Sequence, residues 1–307
     1  MPEIIIGCDL SRACLDLHIL PDGLASRIDN SPEVIEEWVA SLPPGCRVVF
    51  EATSGCDTDL IAGLCAGGVA YSRVNPRQAR EFARALGVLA KTDQVDARIL
   101  AEMGLRLDLA ITVTPDPSRI QLADYLRRRR QLVDMRKAEK VRRHSAGQRD
   151  ILKDIDSLIR ILDRRIEAMD NKIRNLIEED EALADDARLL AAVPGIGPTV
   201  LATLLGELPE LGRLDRRKIA SLAGLAPHAR ESGTWRGQRR IWGGRRKVRE
   251  ALYIAALSAS RRIPALIAMR QRMKEKGKAP KTILIAVGRQ LLVILNAMIR
   301  NRTPIAL

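Results

Sequence analysis

Four carboxylates stand out by type and spacing: Asp9 after Ile4-Ile5-Ile6-Gly7-Cys8, Glu51 after Arg47-Val48-Val49-Phe50, and Asp93 and Asp96 within Lys91-Thr92-Asp93-Gln94-Val95-Asp96-Ala97. Two of them end short apolar runs of strand character. The other two lie three residues apart, on one face of a predicted helix. Carboxylates from separate elements that meet at a sheet edge suit a divalent cation such as Mg²⁺ or Mn²⁺, which takes hard oxygen ligands and retains water. Taken singly, any of the four is more simply a solvated turn or helix cap.

A second candidate group lies in the carboxyl-terminal half. Ser232-Gly233 sits in an arginine-rich loop with Arg236, Arg239, Arg240, Arg245 and Arg246, where a serine hydroxyl could attack a phosphate held by guanidinium groups. Ser-Gly alone is more often a turn, and no Ser-His-Asp order accompanies it. Val193-Pro194-Gly195-Ile196-Gly197-Pro198 has the pattern of a helix-hairpin-helix, in which Gly195 and Gly197 let backbone N–H groups approach a phosphate. A tight turn between helices with no ligand has the same pattern. Residues 119–149 hold 11 Lys and Arg against 3 Asp and Glu, including Arg127-Arg128-Arg129-Arg130, either a solvated helix face or a phosphate contact.

The elements that must position these groups follow from periodicity. Strands are expected over Ile4–Gly7, Leu15–Leu20, Arg47–Phe50 and Tyr71–Val74, with helices near 31–41, 57–66 and 77–109, so residues 1–112 read as an α/β sheet domain. Pro115 and Pro117 mark a linker. From Ile151 the apolar positions 151, 155, 158, 162, 166, 169, 173 and 176 step by three and four, a coiled-coil seam or an intramolecular helical hairpin, so 113–185 reads as a basic helical segment and 186–307 as a mainly helical domain.

Composition agrees. The 307 residues are 46% apolar and 29% charged but only 3% aromatic, which predicts aliphatic, largely helical cores. The net charge of +13 is unevenly spread: residues 1–110 carry −6, leaving +19 on the remaining 197. An acidic half for metal and a basic half for a polyanion is the simplest division. Five cysteines, odd in number and without a C-x-x-C pair, predict buried thiols in a reducing cytoplasm, and no span apolar enough for a membrane is expected: Ile283–Ile299 contains Arg289, Gln290 and Asn296.

The combination of motifs resembles the DEDD transposases of the IS-one-ten type of insertion sequence, which include the Piv-like DNA invertases. Gly7-Cys8-Asp9-Leu10-Ser11 is similar to that family's G-x-D-x-S, Glu51-Ala52-Thr53-Ser54-Gly55 to its E-x-T-x-G, and Val74-Asn75-Pro76-Arg77-Gln78 and Lys91–Ala97 to its V-N-P-x-Q and K-T-D-x-x-D-A. The hairpin, Gly224-Leu225-Ala226-Pro227 and Ser232-Gly233 match its carboxyl-terminal signature. The resemblance implies an RNase H/RuvC-like catalytic domain at 1–112, with Asp9, Glu51, Asp93 and Asp96 as its metal tetrad, and Ser232 as nucleophile of the 186–307 transposase domain. It further implies double-stranded donor and target DNA, a noncoding bridge RNA, a dimer or tetramer, and a bacterial-type enzyme at the nucleoid. The rival expectations are a hydrolytic junction-resolvase-type nuclease and a non-catalytic DNA binder.

Overall fold

The computed structural model describes residues 4–52, 55–88, 92–112, 116–228, 231–232, 235–236 and 240–305, with the side chains of 228, 231, 232, 235 and 236 outside that description. The chain divides into two compact units at Thr114–Pro115.

The first unit is built on a five-stranded sheet: β1 (Ile5–Leu10), β2 (Cys14–Leu20), β3 (Leu24–Asp29), β4 (Arg47–Glu51) and β5 (Ala70–Val74), in the order β3-β2-β1-β4-β5. β1, β4 and β5 run parallel, while β2 and β3 fold back antiparallel through hairpins. Strand β3 was not expected: Leu24-Ala-Ser-Arg-Ile-Asp does not alternate cleanly, and as an almost wholly exposed edge strand it has no buried face to impose the pattern.

Alternation along β1 divides the core into two layers. Ile6, Cys8 and Leu10 face α1 (Pro32–Ala40) and α2 (Thr58–Ala66), packing with Ile35, Leu60 and Leu64. Ile5 faces the opposite layer with Val49, Leu100 and Met103, covered by α3 (Pro76–Ala85) and α4 (Asp93–Arg106). The helical segments expected over 77–109 are two helices, each opened by its own cap: Asn75 Oδ1 accepts from Arg77 N at 2.9 Å and Thr92 Oγ1 from Val95 N at 3.3 Å. Cys8 is fully buried, its thiol pushed well above its usual range first by burial and then by Asp9, and all five cysteines are free.

The second unit begins with two long helices, α5 (Pro117–Ser145) and α6 (Arg149–Glu179), packed side by side as an antiparallel hairpin. The apolar seam of α6 therefore finds its partner within the same chain: Leu162 and Ile166 bury against Leu132, while Ile151 and Leu158 stay exposed. A ladder of ion pairs fixes the register. Arg129, Arg136 and Arg143, seven residues apart on α5, meet Asp170, Asp163 and Asp156, seven apart on α6; Arg136 Nη1 to Asp163 Oδ1 is 2.6 Å and Arg143 Nε to Asp156 Oδ1 is 2.5 Å.

At the other end of the hairpin, Leu122, Leu126, Ile173 and Ile177 enter the same core as α7 (Glu181–Ala191), α8 (Pro198–Glu207), α9 (Arg216–Leu222), α10 (Arg246–Ala259), α11 (Pro264–Glu275) and α12 (Pro280–Asn301). Residues 115–307 form one compact unit, in which this core is separate from the Leu132, Leu162 and Ile166 cluster further along the hairpin. Helix α12 is long and apolar enough to cross a membrane, but its Val287, Leu291, Leu292 and Leu295 are fully buried in this core. Between α9 and α10 lie four two-residue strands, β6 (Pro227–His228), β7 (Glu231–Ser232), β8 (Trp235–Arg236) and β9 (Arg240–Ile241), where a loop was expected.

Candidate functional site

Asp9 and Glu51 reach the same sheet edge. The parallel register Gly7 to Val49 and Cys8 to Phe50 makes them the next neighbours at the carboxyl ends of β1 and β4, on the α4 face. Gly7, two residues before Asp9, sets how closely α4 approaches. A Cβ built on Gly7 would lie 2.0 Å from the Ala97 carbonyl oxygen and 2.4 Å from Ala101 N, so only glycine lets the helix backbone rest directly on the strand. Gly104 repeats the device further along, where a Cβ would meet Ile5 and Val49 at 2.7 Å. Helix α4 consequently runs from the Asp9 edge towards the start of the strand, and its first turn, with Asp93 and Asp96, lies at that edge.

Asp9 senses the other three carboxylates. Asp9 is pushed up to about 6, first by burial and then by the charges of Asp96, Glu51 and Asp93, against a lowering hydrogen bond from the Leu10 backbone. Among the described residues, however, no three His, Cys, Asp or Glu side chains close to ligating positions on a single point. The donor set fits a hard divalent cation in chemistry, being oxygen-only and strongly anionic.

Two further residues belong to this edge, and neither was anticipated. Antiparallel pairing sets Asp16 of β2 opposite Asp9, and Arg27 of β3 opposite Asp16. Arg27 holds the buried Asp16 in a bidentate pair at 3.0 and 2.9 Å and reaches Asp93 at 3.6 Å. A polar residue alternating within Leu15-Asp16-Leu17 was the available signal. The loops around the site are tied together by Asn30, whose side-chain amide donates to the carbonyl of Ser11 at 2.7 Å and of Cys56 at 3.1 Å. Ser11 itself closes the β1–β2 hairpin, accepting from Cys14 N at 2.9 Å. The motif residues Thr53, Ser54, Ala90 and Lys91 lie outside the described residues.

In the second unit, Ser232 of β7 pairs antiparallel with Trp235 of β8. The flanking strands β6 and β9 form a second antiparallel pair, with Pro227 opposite Ile241. Arg239 and Gly233 lie outside the described residues, and of Arg236 only the strand position is described.

The other basic candidates divide by what they already hold. Arg245 is bidentate to Glu210, both contacts at 2.5 Å; Arg130 pairs with Glu207 at 2.6 Å and Arg129 with Asp170. Arg127 pairs with Asp124 within α5, Arg128 with Gln131, and Arg246 with Glu250 within α10, all at exposed positions. Arg240 is exposed and makes no ion pair among the described residues.

The glycine turn joins α7 to α8 as expected, but its two glycines differ. Gly195, at φ +102°, faces α10, where a Cβ would lie 2.7 Å from the Ala255 carbonyl oxygen. Gly197 caps α8 in extended conformation with open space around it.

Comparison with known proteins gives this geometry a family. A model described as the transposase IS116/IS110/IS902 family matches residues 187–273, and a DEDD transposase model of the IS110 type matches 23–146. The pilin gene-inverting protein of Moraxella lacunata is 34% identical over 266 residues, covering 84% of this chain and 81% of its own length. Its counterpart from Moraxella bovis is 34% identical over 241 residues, covering 76% and 73%. An insertion element IS110 protein of Streptomyces coelicolor is 31% identical over 117 residues, covering 38% of this chain and 29% of its own. With both units matched and relatives aligned over most of their length, the chain belongs to the IS110-type transposase family and is a DNA recombinase.

Proposed function

We propose that the chain cuts and rejoins double-stranded DNA with Asp9, Glu51, Asp93 and Asp96 as a metal-binding tetrad and Ser232 as nucleophile. The observation that carries the reading is the convergence of charge on Asp9, raised to about 6 by burial and by the other three carboxylates at the edge that Gly7 brings against α4. Membership of a DEDD family suggests use of a divalent metal, and Mg²⁺ or Mn²⁺ suits these oxygen donors. When bound, such an ion neutralises phosphate charge.

The chain's own residues supply the rest. Gly7 and Gly104 fix the helix that carries Asp93 and Asp96, and Arg27 steadies Asp93 while neutralising Asp16. At the serine, an Oγ–P bond forms as the bond from phosphorus to the departing strand oxygen breaks; the hydroxyl proton is given up and the departing oxygen takes one up. The phosphoserine bond retains the energy of the broken linkage, so rejoining by reversal needs no ATP. Exposed Arg127, Arg128, Arg240 and Arg246 are candidates for holding phosphates, together with Arg236 and Arg239 of the same arginine-rich stretch and Gly197 at the open end of α8. The ion pairs of Arg129, Arg130 and Arg245 must exchange for phosphate if these residues also take part.

Selection of DNA by a bridge RNA, and a dimer or tetramer in which the tetrad of one subunit serves the serine of another, complete the proposal. The relatives' name, pilin gene-inverting, fits this reaction, since inversion breaks and rejoins strands without loss. Asp93→Ala tests the tetrad: cleavage of a donor duplex falls by at least a hundredfold while binding of the same DNA, followed by anisotropy, changes less than threefold. Cleavage at the wild-type rate refutes the assignment.

A further inference from the structure

A groove of about 1410 Å³ in the second unit lies along α12, bounded by α9, α11 and the β6–β9 pair. Six cations line it: Arg216, Arg217, Arg240, Lys278, Lys281 and Arg289. No Asp or Glu does. Among the described residues none of the six side chains makes an ion pair, in contrast to Arg129, Arg130 and Arg245 elsewhere in the same unit. Asp215, the nearest acid in sequence to Arg216, is spent capping α9 through the backbone N–H groups of Arg217 and Lys218. Six cations in one concave surface, of which, among the described residues, Arg217 alone feels a neighbouring carboxylate, Asp215, repel each other, a cost that an anionic ligand relieves.

The floor is apolar. Met269, Met273, Ile285 and Val293 line it, with Thr282 and Gln290 as polar neighbours. Helix α12 therefore has two faces: Ile283, Val287 and Leu291 enter the core, while Lys281, Ile285 and Arg289, at intervals of four, form the groove. A DNA duplex keeps its base faces stacked inside and gains little from an apolar floor. An unpaired strand offers phosphates to the rim and base faces to the floor.

The wall formed by Pro227, Arg240 and Ile241 belongs to the β6–β9 pair, whose strands flank β7 and β8 in sequence, so Ser232 is five residues along the chain from Pro227. We infer that this groove binds an unpaired DNA strand, running along α12 to the β6–β9 pair that flanks the Ser232 strand in sequence. That the occupant is DNA rests on the recombinase reading above; that it is a polyanion with exposed bases rests on the groove alone.

The test measures anisotropy of a labelled 20-mer as single-stranded DNA, as duplex and as RNA of the same sequence, with full-length protein in EDTA between 50 and 200 mM salt. The variants are K281E/R289E and, should that fold poorly by circular dichroism, K278E/K281E at two exposed loop-proximal positions. K153E/R164E on α6 removes the same charge elsewhere. The groove variant is expected to bind single-stranded DNA at least tenfold more weakly and to lower the salt slope by about 1.4, two contacts at ~0.7 each. The α6 control changes binding less than threefold. Equal loss in groove and control variants, equal loss for duplex and single strand, or a loss confined to RNA each overturns the inference. Metal-dependent cleavage by the wild-type protein is scored separately: its absence alongside a groove-specific binding loss counts against the recombinase chemistry and not against the groove.

Discussion

Asp9 concentrates the chemistry of the first unit in one titration. Its carboxyl is raised from an unfolded value near 3.8 to about 6, so the folded metal-free protein favours the protonated form. The sign follows: this group's contribution to stability is present below the unfolded value and is lost as pH rises to about 6. Asp9→Asn is therefore expected to stabilise the metal-free protein at pH 7, on the order of 1 kcal/mol once the half-exposed position is discounted for solvent screening, read from urea midpoints. Affinity for Mg²⁺ or Mn²⁺, measured by calorimetry, falls as pH is lowered through about 6 because protons compete for the same oxygen. An affinity flat from pH 5 to 8 contradicts the charge coupling. Gly7→Ala acts through packing instead. A methyl 2.0 Å from a backbone carbonyl must push α4 off β1, a loss of roughly 1–3 kcal/mol by overpacking that also displaces Asp96 from Asp9. Arg27→Ala leaves Asp16 buried without its bidentate partner and is expected to destabilise by about 1–3 kcal/mol, whereas Arg27→Ala with Asp16→Asn recovers most of that loss.

At the scale of elements, the sequence showed most where one short-range rule decided the outcome. The strands ending at Asp9 and Glu51 follow from β-branched runs, and the starts of α1 and α3 from Ser31-Pro32 and Asn75-Pro76. Strand β3 escaped because an almost wholly exposed edge strand has no buried face to impose alternation, and with it escaped Arg27 and its tie to Asp93. The partner of α6 was undetermined because a seam of three and four steps is the same whether its complement comes from another chain or from α5. The ladder of Arg129, Arg136 and Arg143 against Asp170, Asp163 and Asp156 resolves it, and could have been read as two charge repeats of seven running in opposite directions. Arg136→Asp alone should lower stability by roughly 0.2–1 kcal/mol, and Arg136→Asp with Asp163→Arg should restore it. A double variant no better than the sum of the singles denies the register. Part of the Arg127–Arg130 run thus serves the hairpin, a use that composition cannot separate from a phosphate grip.

Over the whole molecule, the charge division of −6 against +19 matches two compact units with different work. The acidic unit gathers four carboxylates at one sheet edge, and the basic unit carries Ser232 and a groove lined by six cations. Spacing disclosed the carboxylates because Asp9 and Glu51 fall at the carboxyl ends of strands and Asp93 and Asp96 in the first turn of a helix. The groove was not disclosed, because its residues come from five stretches between 216 and 293 that meet only through the packing of α9, α11, α12 and the β6–β9 strands. The central claim, that the two units perform one strand transfer, is tested most directly by incubating the full-length protein with labelled donor DNA and divalent metal, then denaturing. A protein–DNA adduct that resists denaturation and maps to Ser232 is predicted, absent in Ser232→Ala and absent in Asp93→Ala. Metal-dependent cleavage that persists in Ser232→Ala with no adduct in the wild-type protein would show that water, not the serine, attacks the phosphate.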